Sequence, residues 1–216
     1  MSISDQTLYK TPFSKGYWHS ALADFKRLRT MVFAALMIAA CIALSYVPNI
    51  RIDFTDLYSA KVTWGFLARS VCSMVCGPVM GLVFGFAEDT ISFFIHPTGP
   101  YFPGYALTTM LGNLIYALFL YRTRFGPVRV FLAKFFTNLL NVFLGSLWSA
   151  ILGGKGYLFY MAKSALTNTL KLPVQTVMLC VLFAALTPIL HRMGWIPARG
   201  GWSFPRFKKE TTEAGR

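Results

Sequence analysis

Two carboxylates, Glu88 and Asp89, are the acidic side chains held inside an apolar segment of this 216-residue chain. Burying a charge in apolar surroundings is costly unless it meets a cation or lines a wet cavity. Two chemistries follow. One carboxylate accepts hydrogen bonds from the N–H groups of a bound ligand, or it pairs with a buried cation such as Arg69 or Lys134. Successive residues on a helix point about 100° apart, so the two serve different neighbours, and Asp89 is the one read toward a ligand. The amides of Asn138, Asn141 and Asn168 have a similar double reading, as contacts to a heterocycle or as hydrogen-bonding glue between helices. Lys155, Lys163 and Lys171, with Arg69, supply cations suited to a carboxylate-bearing substrate, although lysines that merely reach for the membrane surface give the same pattern.

No catalytic set accompanies these groups. G-x-S-x-G, H-E-x-x-H and the phosphate-binding P-loop are missing from the sequence, and His19, His96 and His191 are scattered at segment ends. The residues describe a binding protein, not an enzyme, with no cofactor called for and no means of using ATP by itself. Cys41, Cys72, Cys76 and Cys180 all fall in apolar runs. Cys72 and Cys76 are one helical turn apart without a histidine or acidic companion, so they read as packing residues and no metal site is expected.

The elements that must position these groups are membrane helices. Hydrophobic residues make up 55% of the chain and charged residues 13%, with 20 Phe and a mean hydropathy of +0.51, which is far from a soluble domain. The fold class expected is an all-α integral membrane protein, a compact bundle of six transmembrane helices. The net charge of +13 gathers at the ends of apolar runs and not in an aromatic-interleaved stripe, so it speaks for membrane topology and against nucleic acid. The run from Met31 ends in a small-residue pattern at Ala43-Leu44-Ser45, but the polar stretch before it is long for a signal peptide. It is read as an uncleaved first span.

Along the chain, residues 1–29 form a basic, aromatic segment suited to an interfacial helix. The spans follow at 30–47, 62–76, 79–94, 105–121, 128–152 and 169–190. Pro48-Asn49 stops the first, Gly77-Pro78 separates the second from the third, and the turn "PTGPYFPGY" introduces the fourth. Residues 48–62 are read as a polar loop, 153–168 as a glycine-rich loop and connector, and 191–216 as a basic tail. Six spans put both termini on one side, where 14 Lys and Arg gather against 5 on the other. The positive-inside rule makes that side cytoplasmic, in the plasma membrane of a prokaryote, and turns "PTGPYFPGY" outward. The first span also carries Ala35, Ala39 and Ala43 one turn apart, a ladder of small side chains that lets another helix approach closely.

Residues 64–121, "WGFLARSVCSMVCGPVMGLVFGFAEDTISFFIHPTGPYFPGYALTTMLGNLIYALFLY", resemble the substrate-binding S component of energy-coupling factor (ECF) vitamin transporters, in the folate-specific branch. A second match, "LGSLWSAILGGKGYLFYMAKSALTNTLKLPVQ" at 144–175, is similar to that branch's L-N-T-L-W, G-K, R-x-x-K-N and P-I-E pattern. It departs at Gly145-Ser146, at Lys163 in place of arginine, at Thr167-Asn168, and at Gln175 in place of the acid. The resemblance implies the S subunit of an ECF-type ABC importer. Such a subunit binds a vitamin at the extracellular face and joins a membrane coupling subunit and two ATPases through the alanine ladder. For folate it implies that Asp89 and Asn141 meet the pterin, that Phe94, Tyr101, Phe102 and Trp148 stack on the aromatic body, and that Lys155 and Lys163 hold the glutamate tail. The same scaffold with thiamine, riboflavin or another pterin or pyrimidine is the nearest alternative, since a fold carries less information than its pocket. A membrane protein without a transport role is the other.

Overall fold

The computed structural model describes residues 14–48, 50–55, 58–95, 101–154, 156–197 and 200–203. The outer portions of both basic termini, Lys155, and Pro97 and Pro100 of the proline-rich turn lie outside the described residues.

Helix α1 (Lys15–Phe25) and helix α2 (Leu28–Ser45) occupy the N-terminal segment and the first expected span. Proline at position 48 ends α2, as its missing N–H and fixed φ require. The following stretch is not a plain polar loop. Strands β1 (Ile50–Thr55) and β2 (Tyr58–Val62) pair as an antiparallel hairpin, Ile50 opposite Val62.

The second and third expected spans are one continuous assignment, α3 (Gly65–Ile95), interrupted at Gly77 by φ 83° and ψ −178°. That conformation is open essentially to glycine alone, and Pro78 next to it cannot continue the hydrogen-bond ladder. The chain turns back there. Near the other end of the first arm, the Cys41 thiol donates to the Gly65 carbonyl at 3.6 Å, while Cys76 donates to the Thr30 carbonyl at 3.9 Å, so residues 65–76 run antiparallel to α2. This arm rises only roughly 18 Å at 1.5 Å per residue, short of the hydrocarbon thickness. It is an interior arm, with Ser70 to Pro78 all buried.

Residues 78–95 form the second arm and pack along α4 (Pro103–Leu120). Glycine makes the approach possible: a Cβ on Gly85 would lie 2.8 Å from the Met110 Cα, and one on Gly81 would lie 3.5 Å from the Asn113 carbonyl oxygen. Helix α5 (Pro127–Leu140) continues through a π-helical turn (Asn141–Gly145) into α6 (Ser146–Gly153). The last helix, α7 (Tyr157–Arg192), has 36 residues and absorbs the expected connector. Gly154 at φ 68° closes α6 in the left-handed region, where glycine is favoured.

Among the described residues, five helical stretches are long and apolar enough to cross a membrane: Leu28–Ser45, Gly65–Ile95, Pro103–Leu120, Pro127–Gly153 and Tyr157–Arg192. With α3 doubled back, they make six helical segments, of which the short first arm of α3 is interior; the bundle is all-α apart from the short strands. Its main core joins α2, α3, α4, α5 and α7 through Cys72, Phe84, Leu120, Val130, Leu179 and Phe183.

At the end of the bundle holding the termini, α1 lies across α3 and α4. Tyr17 is fully buried and donates to the Ala117 carbonyl at 3.0 Å. The Asp24 carboxylate receives the Tyr121 hydroxyl at 2.6 Å and Arg122 at 2.7 Å. The C-terminal segment is tied down beside it: β4 (Gly201–Trp202) pairs in parallel with β3 (Arg124–Phe125), and Arg29 stacks over Trp195 with its Cζ 4.1 Å from the ring centroid.

Candidate functional site

A cavity of about 650 Å³ opens between α3, α4, α5, α6 and α7, within the range that encloses a drug-sized ligand. One face of α7 supplies Tyr160, Lys163, Ser164, Thr167, Asn168, Lys171 and Gln175, spaced three and four residues apart as a single helical face demands. Exposure falls along that face, from exposed Lys163 through half-buried Lys171 to buried Gln175. The cavity is therefore open toward the α6–α7 connection and closed toward Gln175.

The opposite wall comes from α5, the π-turn and α6, with Lys134, Asn138, Asn141, Gly145, Ser146 and Ser149. A π-turn inserts one residue into the helical repeat and such turns recur at functional sites. Here it brings both Gly145 and Ser146 to the wall while Asn141, four residues earlier, still faces it. The Asn141 amide donates back to the Thr137 carbonyl at 3.0 Å, and the Asn138 amide reaches the Asn168 carbonyl at 3.2 Å across the interface. The interhelical-glue reading thus holds for Asn138, which also lines the cavity.

The two neighbouring carboxylates part company. Glu88, 2% exposed, turns away and takes Arg69 at 2.9 Å. Asp89 faces the cavity and accepts the Thr109 hydroxyl at 3.1 Å. Arg69 lines the cavity beside Phe66, Lys134 and Lys171, and with Lys163 these make four lining cations against the single lining carboxylate, Asp89, among the described residues. The Lys134 ammonium lies 4.8 Å from the Phe66 ring centroid, a cation–π contact.

Of the residues read from the sequence, the structure brings Asp89, Asn141 and Lys163 to the cavity wall, together with Arg69, Asn138, Asn168 and Lys171. Phe102 and Trp148 stand behind it: their rings are 5.4 Å apart, and the Trp148 indole N–H donates to the cavity-lining Thr108 hydroxyl at 2.9 Å. Phe94 is 76% exposed, and Tyr101 packs against Phe93 with its hydroxyl 3.2 Å from that of Thr90. Neither lines the cavity: Phe94 is on the last turn of α3, and Tyr101, just before α4, packs against that turn. Lys155 lies outside the described residues. The sequence reading of the binding set left out Lys134, Gln175, Ser146, Thr108, Tyr105 and Tyr160. A lysine inside an apolar run was the available signal for Lys134; the serines and threonines carried none, since such residues are common on membrane helices.

Ala35, Ala39 and Ala43 are all exposed on the outer face of α2. Only 17% of that helix is buried in the bundle.

No protein-family model matches the chain. Among curated proteins, it is similar to the Folate transporter FolT of Clostridium novyi (strain NT), with 26% identity over 155 residues that cover 71% of this chain and 87% of the relative. The crystal structure of FolT bound with folic acid has a similar fold, with a TM-score of 0.60 at 22% identity over 72% of this chain and 91% of that one. The resemblance to folate transporters carried by residues 64–121 and 144–175 is thus met by a likeness of fold over 72% of the chain.

Proposed function

We propose that this chain is the folate-binding subunit of an importer, an S component of the ECF type, which takes folate into the cavity between α3, α4, α5, α6 and α7. The observation that carries the reading is the cavity itself. It pairs one hydrogen-bond-accepting carboxylate, Asp89, with a surplus of cations, in a chain similar to a folate transporter over most of its length. A pterin offers a row of N–H donors that suits Asp89, and the glutamate tail offers two carboxylates that suit Lys163 at the open end. Phe102 and Trp148 stiffen the wall behind Thr108 and Tyr105 instead of stacking on the ligand.

Transport requires an energy source that the sequence lacks. The exposed ladder Ala35, Ala39 and Ala43 is the surface best suited to a membrane coupling subunit, which would in turn hold two ATPases; close helix approach over small side chains is a favoured contact in lipid. Both termini then lie in the cytoplasm, in keeping with the basic residues gathered at that end, and the open end of the cavity faces outward.

Mass spectrometry on protein purified in detergent, combined with titration of folate, tests the binding role. Retained folate or submicromolar affinity is the expected result. Failure to bind folate, together with clear binding of thiamine or riboflavin, would overturn the substrate and leave the scaffold.

A further inference from the structure

The cavity wall holds polar groups that make no hydrogen bond or ion pair among the described residues. Lys134 is 5% exposed, and its ammonium has no carboxylate within 4.0 Å among the described residues. Its neighbours on the wall are the cations Arg69 and Lys171 and the ring of Phe66. Gln175, 7% exposed, has an amide oxygen without a hydrogen bond, and Ser146, 2% exposed, has a hydroxyl without one, among the described residues. All three line the cavity, Lys134 of α5 and Gln175 of α7 at its closed end and Ser146 nearer the α6–α7 connection.

Buried polar groups are nearly always satisfied, and a buried ammonium most of all. Lys134 and Gln175, on facing walls at the closed end, mark where a ligand completes the hydrogen bonding. Lys134 can only donate, whereas an amide can donate or accept. The ligand edge they complement is therefore an oxygen acceptor beside an N–H or ring nitrogen: the lactam edge of an oxo-heterocycle.

Resting on the folate reading above, we propose that Lys134 is a specificity-determining residue that donates to the 4-oxo oxygen of the pterin, with Gln175 reading the ring nitrogen beside it. The pterin then lies at the closed end, with Asp89 on the adjoining wall for the remaining ring N–H groups, and the glutamate points toward exposed Lys163. A 4-amino analogue places a donor against the Lys134 donor and leaves the buried ammonium unsatisfied. Such a mismatch, in a site built to hydrogen-bond its ligand, is strongly rejected.

The test compares folate with its 4-amino analogue, assayed slightly above neutral pH where the analogue's ring is uncharged, on wild-type protein and on Lys134→Met and Lys134→Arg, each checked by its melting curve in detergent. Wild type is expected to favour folate by at least about tenfold. Lys134→Met is expected to lose about 10- to 100-fold in folate affinity while changing little toward the analogue, so that the preference collapses; Lys134→Arg is expected to keep part of it. A preference that survives in Lys134→Met overturns the assignment. So does a Lys134→Met loss seen with folate but not with a pterin lacking the glutamate, because that result gives Lys134 to the tail. Wild type that binds neither compound, though folded, overturns the folate reading itself.

Discussion

The guanidinium of Arg69 meets the carboxylate of Glu88 at 2.9 Å although nineteen residues separate them within one assigned helix. On a straight helix that spacing spans roughly 28 Å. Contact is possible only because Gly77 reverses the chain, and it joins the two arms of α3 at the level of the cavity, so that folding of the hairpin and shaping of the site are one event.

Removing that charge pair is expected to loosen the hairpin. Glu88→Gln leaves Arg69 without its counter-ion and should lower stability by about 1.5–3 kcal/mol, read as a fall in apparent melting temperature in detergent. Arg69 retains access to the cavity, so added ligand with a carboxylate should recover part of the loss. An unchanged melting curve would show that the pair contributes little.

Glycine contacts between the second arm of α3 and α4 give a graded outcome. Gly85→Ala drives a methyl against the Met110 backbone, where the added Cβ would be 2.8 Å from Cα, and should cost about 1–3 kcal/mol. Gly81→Ala meets its nearest atom at 3.5 Å and should be close to neutral. Thermal melts of the two variants side by side check this; equal effects would contradict the packing described.

At the binding wall, Asp89→Asn removes the one lining carboxylate and is expected to weaken folate binding by about 10- to 100-fold with little change in melting temperature. Lys163→Gln, on an exposed side chain, should weaken it by less than about fivefold. Isothermal titration against both variants separates these expectations, and a larger effect at Lys163 than at Asp89 would reverse the assigned roles.

The α1 latch predicts a pH effect. Burial raises the phenol pKa of Tyr17 and of Tyr121, the latter also through the Asp24 carboxylate beside it. Since both folded values lie above the unfolded value near 10, their contribution to stability is complete below about pH 10 and is lost as pH rises through the folded values. Tyr17→Phe should lower the melting temperature at neutral pH through its lost bond to Ala117 and should flatten the alkaline fall. Retention of the full alkaline fall in that variant would place its cause elsewhere.

Substituting Ala39→Arg is expected to abolish co-purification with the coupling subunit and ATPases while leaving folate binding within about twofold, since surface changes away from a site are usually nearly neutral. Pull-down from cells expressing the whole importer, alongside titration of the isolated subunit, reads both effects. Intact co-purification would remove the ladder from the interface.

Much of the scaffold was legible in the chain because its signals are local. Proline 48, the Gly77-Pro78 pair and the long apolar runs dictate where helices stop and how many can cross a membrane. Helix α7 ran further than expected because nothing from Tyr157 to Asn168 forbids a helix, and the polar residues there that resembled a connector prove to be the cavity face.

The sequence by itself determined the membrane class, the absence of catalytic motifs, the basic end of the bundle and the presence of two carboxylates with different fates. Only the tertiary structure decided which carboxylate was spent on Arg69, that Phe94 and Tyr101 turn away, and that Lys134 and Gln175 face each other at the closed end of the cavity. Periodicity reports the face on which a residue lies, but a cavity is made where faces of five helices meet, and that meeting depends on one glycine reversal and one π-turn whose consequences are felt far along the chain.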